Sequence, residues 1–211
     1  CTPDELDWMT CPCMGFAFGE RGAMALVRKR GSAEEERFPF DSLFSAGYDT
    51  PGEPGEAVLR RWDVRTDDME QSDSPDFVSR VQKRPLAKIM QLGDFDHDGR
   101  ATEFIVQIGT LPCGKQMSVA VGISRVKPYL HALTTVEHPE RPLVLERRHW
   151  MTLLKAKRPI RVVDWPCGDH GSETEVELEL WADSGGIHGK RFEYTCPESE
   201  KPRKLIREEI R

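Results

Sequence analysis

A stretch near the C-terminus constrains the fold more than any other part of the sequence. Val176, Leu178 and Leu180 alternate with glutamates, and after the turn DSGG (183–186) the segment RFEY (191–194) alternates again. Because successive side chains of a strand point to opposite faces, this pattern predicts an antiparallel hairpin with one buried and one solvated face. The hairpin favours an antiparallel β architecture for the domain around it.

Short apolar runs separated by turns containing Gly or Pro continue this pattern over much of the chain. We expect a mainly β fold of antiparallel sheets, arranged as a sandwich or as part of a propeller, with an irregular, loop-rich N-terminal section. The expected division is an N-terminal section over 1–75, a β domain over 76–197 and a charged C-terminal tail over 198–211 that forms a loose end or a short helix. The expected strands lie near residues 86–92, 103–109, 116–123, 129–136, 142–147, 149–155, 160–165, 173–181 and 187–196.

Composition argues against several classes of protein. The 211 residues are 38% hydrophobic and 31% charged, which is ordinary for a globular chain. No apolar run approaches the ~18 residues of a membrane-spanning helix, so we expect contact with a membrane only through a lipid anchor or a partner. The net charge of −6, without a basic stripe that includes aromatic residues, argues against nucleic acid as a partner.

The segment DFDHDG (94–99) carries the clearest chemical signal. Asp94, Asp96 and Asp98 occupy positions one, three and five of a tight loop, and a glycine follows at position six. Calcium takes roughly six to eight oxygen ligands, alternate residues of such a loop can point their carboxylates inward, and glycine permits the sharp bend. We therefore predict a calcium site made by these three aspartates, with the backbone carbonyl of Arg100 at position seven.

This loop, with a strand expected on each side, resembles the calcium loops of integrin-like FG-GAP and VCBS repeats more than a helix-flanked EF-hand. Position twelve, where an EF-hand places its bidentate glutamate, is Ile105. The repeat families place an acid at position nine, which is Thr102 here, and Glu103 follows it. The resemblance covers one copy from Gln91 to Gly109, and both Glu103 and Thr102 stay candidates for the closing ligand. His97, at an even position of the loop, is expected to face solvent.

The six cysteines suggest a chain exported to an oxidising compartment. None forms a CxxC pair or a haem-attachment motif, so structural zinc and haem are not expected, whereas disulfides are. Cys167 and Cys196 each continue the core-facing phase of a predicted strand, and we therefore predict that they are bonded to each other or in contact. Cys113 is then left to pair with Cys11 or Cys13.

The first residue, Cys1, resembles the mature terminus of a bacterial lipoprotein, whose thiol carries lipid after signal cleavage. The alternative is a terminus produced by proteolysis. The lipoprotein resemblance implies an extracytoplasmic bacterial protein, periplasmic or at the cell surface, with Cys1 as the candidate lipidation site.

No catalytic set stands out in the sequence. The segment CGDHGSE (167–173) places Asp169, His170 and Ser172 close together, but a triad normally draws its members from separated segments, and the G-x-S-x-G elbow is absent. We therefore expect a non-enzymatic binding or assembly module, an accessory subunit that docks on protein partners in a larger membrane complex of the bacterial envelope. The alternative is a secreted hydrolase of polysaccharide or ester, for which the 36 acidic residues offer many carboxylate pairs.

Overall fold

The structure is a computed structural model that describes residues 19–44, 57–62, 65, 68–71, 74–111, 115–197 and 202–211. The fold is mainly β with antiparallel sheets, as the sequence predicts. The strands in these ranges are β1 Gly19–Gly22, β2 Ala25–Arg30, β3 Ala33–Pro39, β4 Ala57–Arg60, β5 Phe104–Leu111, β6 Lys115–Gly122, β7 His131–Ala132, β8 Leu145–Glu146, β9 Ile160–Trp165, β10 Thr174–Asp183, β11 Gly186–Thr195 and β12 Leu205–Ile210. The helices are α1 Asp68–Gln71, α2 Phe77–Gln82 and α3 Arg147–Lys155, with single 3-10 turns at Asp41–Leu43 and Asp169–Gly171.

The strands of the described ranges form two larger and two smaller sheets. One larger sheet has the order β12-β11-β10-β9, and the other has the order β5-β6-β7 with β8 also paired to β6. The smaller sheets are β1-β4 and β2-β3. None of the helices in the described part of the chain has the length and hydropathy to span a membrane.

The sheet that contains β5 and β6 is buried on both faces. Phe104 and Val106 pack into a cluster with Phe40 and Phe44 of the N-terminal section. Ile105, between them, points the other way into a second cluster that includes residues of α3, β10 and β11. The period-two alternation of a strand therefore makes β5 the link between the two hydrophobic cores.

The predicted hairpin near the C-terminus is present. β10 and β11 pair from Thr174↔Thr195 to Asp183↔Gly186, and the side chains of Val176, Leu178 and Leu180 are buried. The expectation of a loose end or short helix after residue 198 is wrong, because β12 pairs with β11 and extends this sheet by one strand. Charged residues suit this position, since an edge strand that carries them resists pairing with other chains.

The strand predicted over residues 149–155 is also wrong, because these residues belong to the helix α3. The buried side chains of α3 are His149, Trp150 and Leu153, whose spacing puts them on one face of a helix. A short apolar run does not distinguish a buried strand from a buried helix, and here the helical arrangement packs Trp150 and Leu153 into the core.

Residues 86–92 form no strand, contrary to prediction. The side chains of Leu86, Met90 and Leu92 are more than half exposed, and alternation alone does not supply a neighbouring strand for pairing. The strands predicted near 129–136 and 142–147 are reduced to the two-residue strands β7 and β8.

Candidate metal centre

The acidic loop is closed at its base by two backbone hydrogen bonds. The amide of Gly93 donates to the carbonyl of Glu103 at 2.8 Å, and the amide of Glu103 donates back to the carbonyl of Gly93 at 3.2 Å. This antiparallel bridge comes directly before β5, so the sheet fixes one end of the loop. The nine residues between the two bridge residues, together with the side chain of Glu103, form the candidate site.

Inside the loop, two aspartates cap backbone amides. Oδ2 of Asp94 accepts the amide of Gly99 at 3.1 Å, and Oδ1 of Asp96 accepts the amide of Asp98 at 3.1 Å. The chain adopts the left-handed region at His97 (φ 57°) and at Gly99 (φ 89°). Glycine at position six therefore has the conformational role that the motif predicts.

Three carboxylates converge in the folded loop. One oxygen each from Asp94, Asp96 and Glu103 lie within 4.8 Å of one another. Asp96 is 3% exposed and Glu103 is 0% exposed, so two of the three acids are removed from water. Oδ1 of Asp94 is also buried and has no hydrogen-bond partner in the described part of the chain. An all-oxygen set of this kind is the ligand chemistry that calcium prefers.

Glu103 is held in place by its neighbours. Oε2 accepts the amide of Phe95 at 3.0 Å, and Oε1 accepts the hydroxyl of Thr102. The same hydroxyl lies 2.6 Å from the carbonyl oxygen of Ile123, at the end of β6. Thr102, the other candidate for the closing ligand, therefore orients Glu103 in this structure.

Gly122 in β6 gives Glu103 the space it occupies. A Cβ atom at Gly122 would lie 2.5 Å from the carbonyl oxygen of Thr102 and 2.7 Å from Cα of Glu103. Both are backbone atoms that cannot move aside without shifting the base of the loop. Reasoning from the sequence missed this residue, although a glycine at the end of an apolar strand is a known sign of close backbone approach.

Asp98 and Arg100 take different positions from the three convergent acids. Oδ1 of Asp98 accepts the amide of Arg100 at 2.9 Å, and Oδ2 accepts the amide of Arg125 at 2.7 Å and the guanidinium of Arg100 at 3.2 Å. The carbonyl of Arg100 accepts the amide of Thr102 at 3.1 Å and keeps a second lone pair. Asp98 thus ties the loop to the segment after β6.

The charges of Asp96 and Glu103 are poorly compensated. Burial, together with a smaller influence of the neighbouring carboxylates of Asp98 and Asp94, raises the pKa of Asp96 to about 6. Burial also raises the pKa of Glu103 to about 7, with Asp96 and Asp98 adding to the effect. The strongest charged influences on both groups are thus other carboxylates, so a bound cation would stabilise the ionised forms.

Two contacts fasten the loop to α3. The ring of Phe95 packs edge-on against Trp150, with centroids 5.9 Å apart, and both side chains are buried. Nε2 of His97 lies 3.0 Å from the carbonyl oxygen of Leu153, in the last turn of α3. The expectation that His97 faces solvent is therefore wrong, because its ring reaches a carbonyl oxygen of α3 that also accepts the amide of Ala156.

The raised pKa values predict how calcium binding depends on pH. Without metal, the unfolded chain loses the protons of Asp96 and Glu103 near pH 4, whereas the folded chain keeps them to about pH 6 and 7. The free energy of unfolding that these two groups contribute therefore falls as the pH rises from about 4 to 7. Calcium binds the ionised forms and cancels this loss, so the calcium-induced rise in melting temperature should be larger at pH 8 than at pH 5. Calorimetry of metal-depleted protein, with and without added calcium at both pH values, measures this rise in melting temperature. A larger rise at pH 5 than at pH 8 would contradict the proposed ligands.

The cysteine prediction is confirmed where the structure describes it. Cys167 and Cys196 form a disulfide with a Cα–Cα distance of 5.5 Å, which joins the ends of β9 and β11. The candidates Cys11, Cys13 and Cys113, and the lipidation candidate Cys1, lie outside the described residues.

The segment 167–173 forms a turn in which Asp169 and Ser172 both have polar partners. The Ser172 hydroxyl donates to the carbonyl of Thr174 at 2.7 Å, and Asp169 forms an ion pair with Lys115. Ser172 therefore directs its proton to a backbone oxygen in this structure.

Comparison of the chain with protein-family models, with curated proteins and with solved structures finds no match in any of the three.

Proposed function

We propose that this chain is a calcium-binding, extracytoplasmic binding or assembly protein without catalytic activity, in which one Ca²⁺ ion holds the loop 94–103 against β5 and α3. The observation that carries the proposal is the convergence of Asp94, Asp96 and Glu103, none of which forms an ion pair with a basic residue in the described part of the chain. Two buried carboxylates in such a position are costly when ionised, and a divalent cation removes that cost.

The donor set favours calcium over magnesium. Magnesium demands a near-ideal octahedron with ligands at about 2.0–2.1 Å, whereas calcium accepts irregular sets of oxygens at about 2.3–2.6 Å. Asp94, Asp96 and Glu103 supply the carboxylate oxygens, and the second lone pair of the Arg100 carbonyl is available to a further bond. Asp98 can become a further ligand only if its Oδ2 atom gives up the hydrogen bond from the amide of Arg125, or accepts that hydrogen bond and binds the ion at the same time.

Calcium at this position would stiffen the junction between the two hydrophobic cores. Glu103 leads directly into β5, whose side chains enter both clusters, while Phe95 and His97 attach the loop to α3. An ion that links Asp94 and Asp96 to Glu103 therefore connects elements from several parts of the chain. This is a structural role, and it requires no turnover of a substrate.

The compartment follows from the disulfide and the metal together. A Cys167–Cys196 bond is typical of oxidising compartments such as the bacterial periplasm or the cell surface. Calcium sites of extracellular modules bind with dissociation constants of roughly 10⁻⁴–10⁻³ M, so such a site fills where calcium is abundant.

The segment before the loop supports a role in binding a protein partner. Leu86, Met90 and Leu92 are more than half exposed, and Gly93, the residue that follows them, belongs to the base of the metal loop. Calcium would fix the position of Gly93 and with it the end of this apolar segment, which is the kind of surface that protein partners cover.

Thermal denaturation tests the proposal. Calcium should raise the melting temperature of metal-depleted protein, and at 100 times its dissociation constant it should add about 2.7 kcal/mol to the free energy of unfolding. Asp96→Asn should lose most of this response, whereas Asp183→Asn, in the exposed turn between β10 and β11, should keep it. Identical melting of the wild type with and without millimolar calcium would refute the proposal.

A further inference from the structure

A second group of possible metal ligands lies at the other end of α3 from the acidic loop. Glu146 ends β8 and precedes α3, His149 lies in the first turn of α3, and Asp164 belongs to β9. One ring nitrogen and one oxygen from each carboxylate lie within 4.8 Å of one another. We propose that Glu146, His149 and Asp164 form a second metal site, which takes a divalent transition ion such as Zn²⁺.

The state of His149 is the independent observation that points to a ligand. His149 is only 4% exposed, and its Nδ1 atom is buried without a hydrogen-bond partner in the described part of the chain. A buried polar atom without a partner costs roughly 1–3 kcal/mol, which a metal bond at that nitrogen would offset. Burial also lowers the pKa of His149, which favours the neutral ring that a metal ligand requires.

The surroundings of His149 match those of a metal-binding histidine. The backbone of Val163, the residue before Asp164, lies beside the imidazole and partly opposes the effect of burial on its pKa. Histidine ligands usually have a carbonyl or carboxylate beside the ring, which helps to fix its orientation. His149 thus lies between an acid from β8 and an acid from β9, with backbone next to its ring.

The donor set distinguishes this site from the calcium loop. An imidazole with two carboxylates suits Zn²⁺ and related ions, whereas calcium prefers oxygen alone. Donors around a tetrahedral Zn²⁺ stand about 3.3 Å apart for bonds of roughly 2.0–2.1 Å, so small side-chain rotations would bring the three together. Three protein ligands would leave a fourth position for water.

Arg148 is the competing partner. Its guanidinium contacts both oxygens of Glu146, at 2.7 Å and 3.0 Å, but its side chain is 62% exposed. A carboxylate has about four lone-pair positions, so Glu146 can bind a metal without leaving Arg148.

Zinc binding to full-length, metal-depleted protein tests the proposal, by titration against a chromophoric competitor and by counting bound metal with mass spectrometry. Asp164→Asn and His149→Gln should each bind one Zn²⁺ fewer per chain than the wild type. His138→Gln, at a surface histidine paired with Glu140, should bind the same number as the wild type. Any zinc held by other parts of the chain is common to all three variants and cancels in the comparison.

Asp164→Asn keeps the test decisive if His149→Gln does not fold, because Asp164 is only partly buried. Asp96→Asn should keep the zinc stoichiometry of the wild type, which separates this site from the calcium loop. Wild-type stoichiometry and affinity in Asp164→Asn, or no zinc bound by the wild type at micromolar concentration, would overturn the assignment.

Discussion

Glu103→Gln is expected to abolish calcium-dependent stabilisation and, at pH 8 without metal, to make the protein more stable than the wild type. At this pH the carboxylate of Glu103 is ionised and buried, at a cost on the order of 3 kcal/mol, judged from a pKa of about 7 against the ordinary 4.5. Glutamine removes the charge and keeps the shape. Its carbonyl can accept the Phe95 amide, and its amide can donate to Thr102, whose hydroxyl then donates to Ile123.

Chemical denaturation in calcium and in metal-depleted buffer measures both effects of Glu103→Gln. The matched control is Glu140→Gln, which removes an exposed carboxylate and should leave the calcium response unchanged. A variant that is less stable without metal and equally stabilised by calcium would show that Glu103 is an ordinary core residue rather than a ligand.

Gly122→Ala is expected to destabilise the protein by roughly 3 kcal/mol and to weaken calcium binding together with it. The added methyl group would lie 2.5 Å from the carbonyl oxygen of Thr102, so the base of the loop has to move away from β6. That movement displaces Glu103 from Asp94 and Asp96. The free energy of unfolding and the calcium affinity therefore both depend on the absence of a side chain at Gly122.

The control for Gly122→Ala is Gly109→Ala in the neighbouring strand β5, where an added Cβ atom meets nothing within 4 Å. This variant should unfold like the wild type and bind calcium with the same affinity, as measured by denaturation and titration calorimetry. Equal behaviour of the two variants would show that the contact between Gly122 and the loop is not what positions Glu103.

Local patterns predicted the parts of the fold that depend on local interactions. The alternation around Val176 and the glycine turn fix the register of β10 and β11, because a slip of one residue would turn every core side chain to solvent. The same alternation over residues 86–92 failed, because a strand also needs a neighbour to pair with. Period alone could not separate strand from helix over 149–155, and only packing against the core around Trp150 decided it.

The candidate calcium site was predicted in part. The spacing of Asp94, Asp96 and Asp98 marked the loop, since alternate acids and a glycine are visible in the sequence. The choice of Glu103 as the third convergent acid depends on Ile123 and Gly122, which the loop meets only when β5 pairs with β6. No local pattern could reveal these long-range contacts.

The second cluster was invisible in the sequence for the same reason. His149 and Asp164 are fifteen positions apart, in a helix and a strand, and this spacing is not typical of a zinc motif. The contact of His97 with the carbonyl of Leu153 likewise depends on where α3 ends.

Isothermal titration of metal-depleted protein with calcium at pH 8 tests the central claim most directly. The account predicts one Ca²⁺ bound per chain in the wild type, loss of that binding in Glu103→Gln and in Asp96→Asn, and wild-type binding in Asp183→Asn. No saturable binding by folded wild-type protein at millimolar calcium, or one ion bound by Glu103→Gln with wild-type affinity, would contradict it.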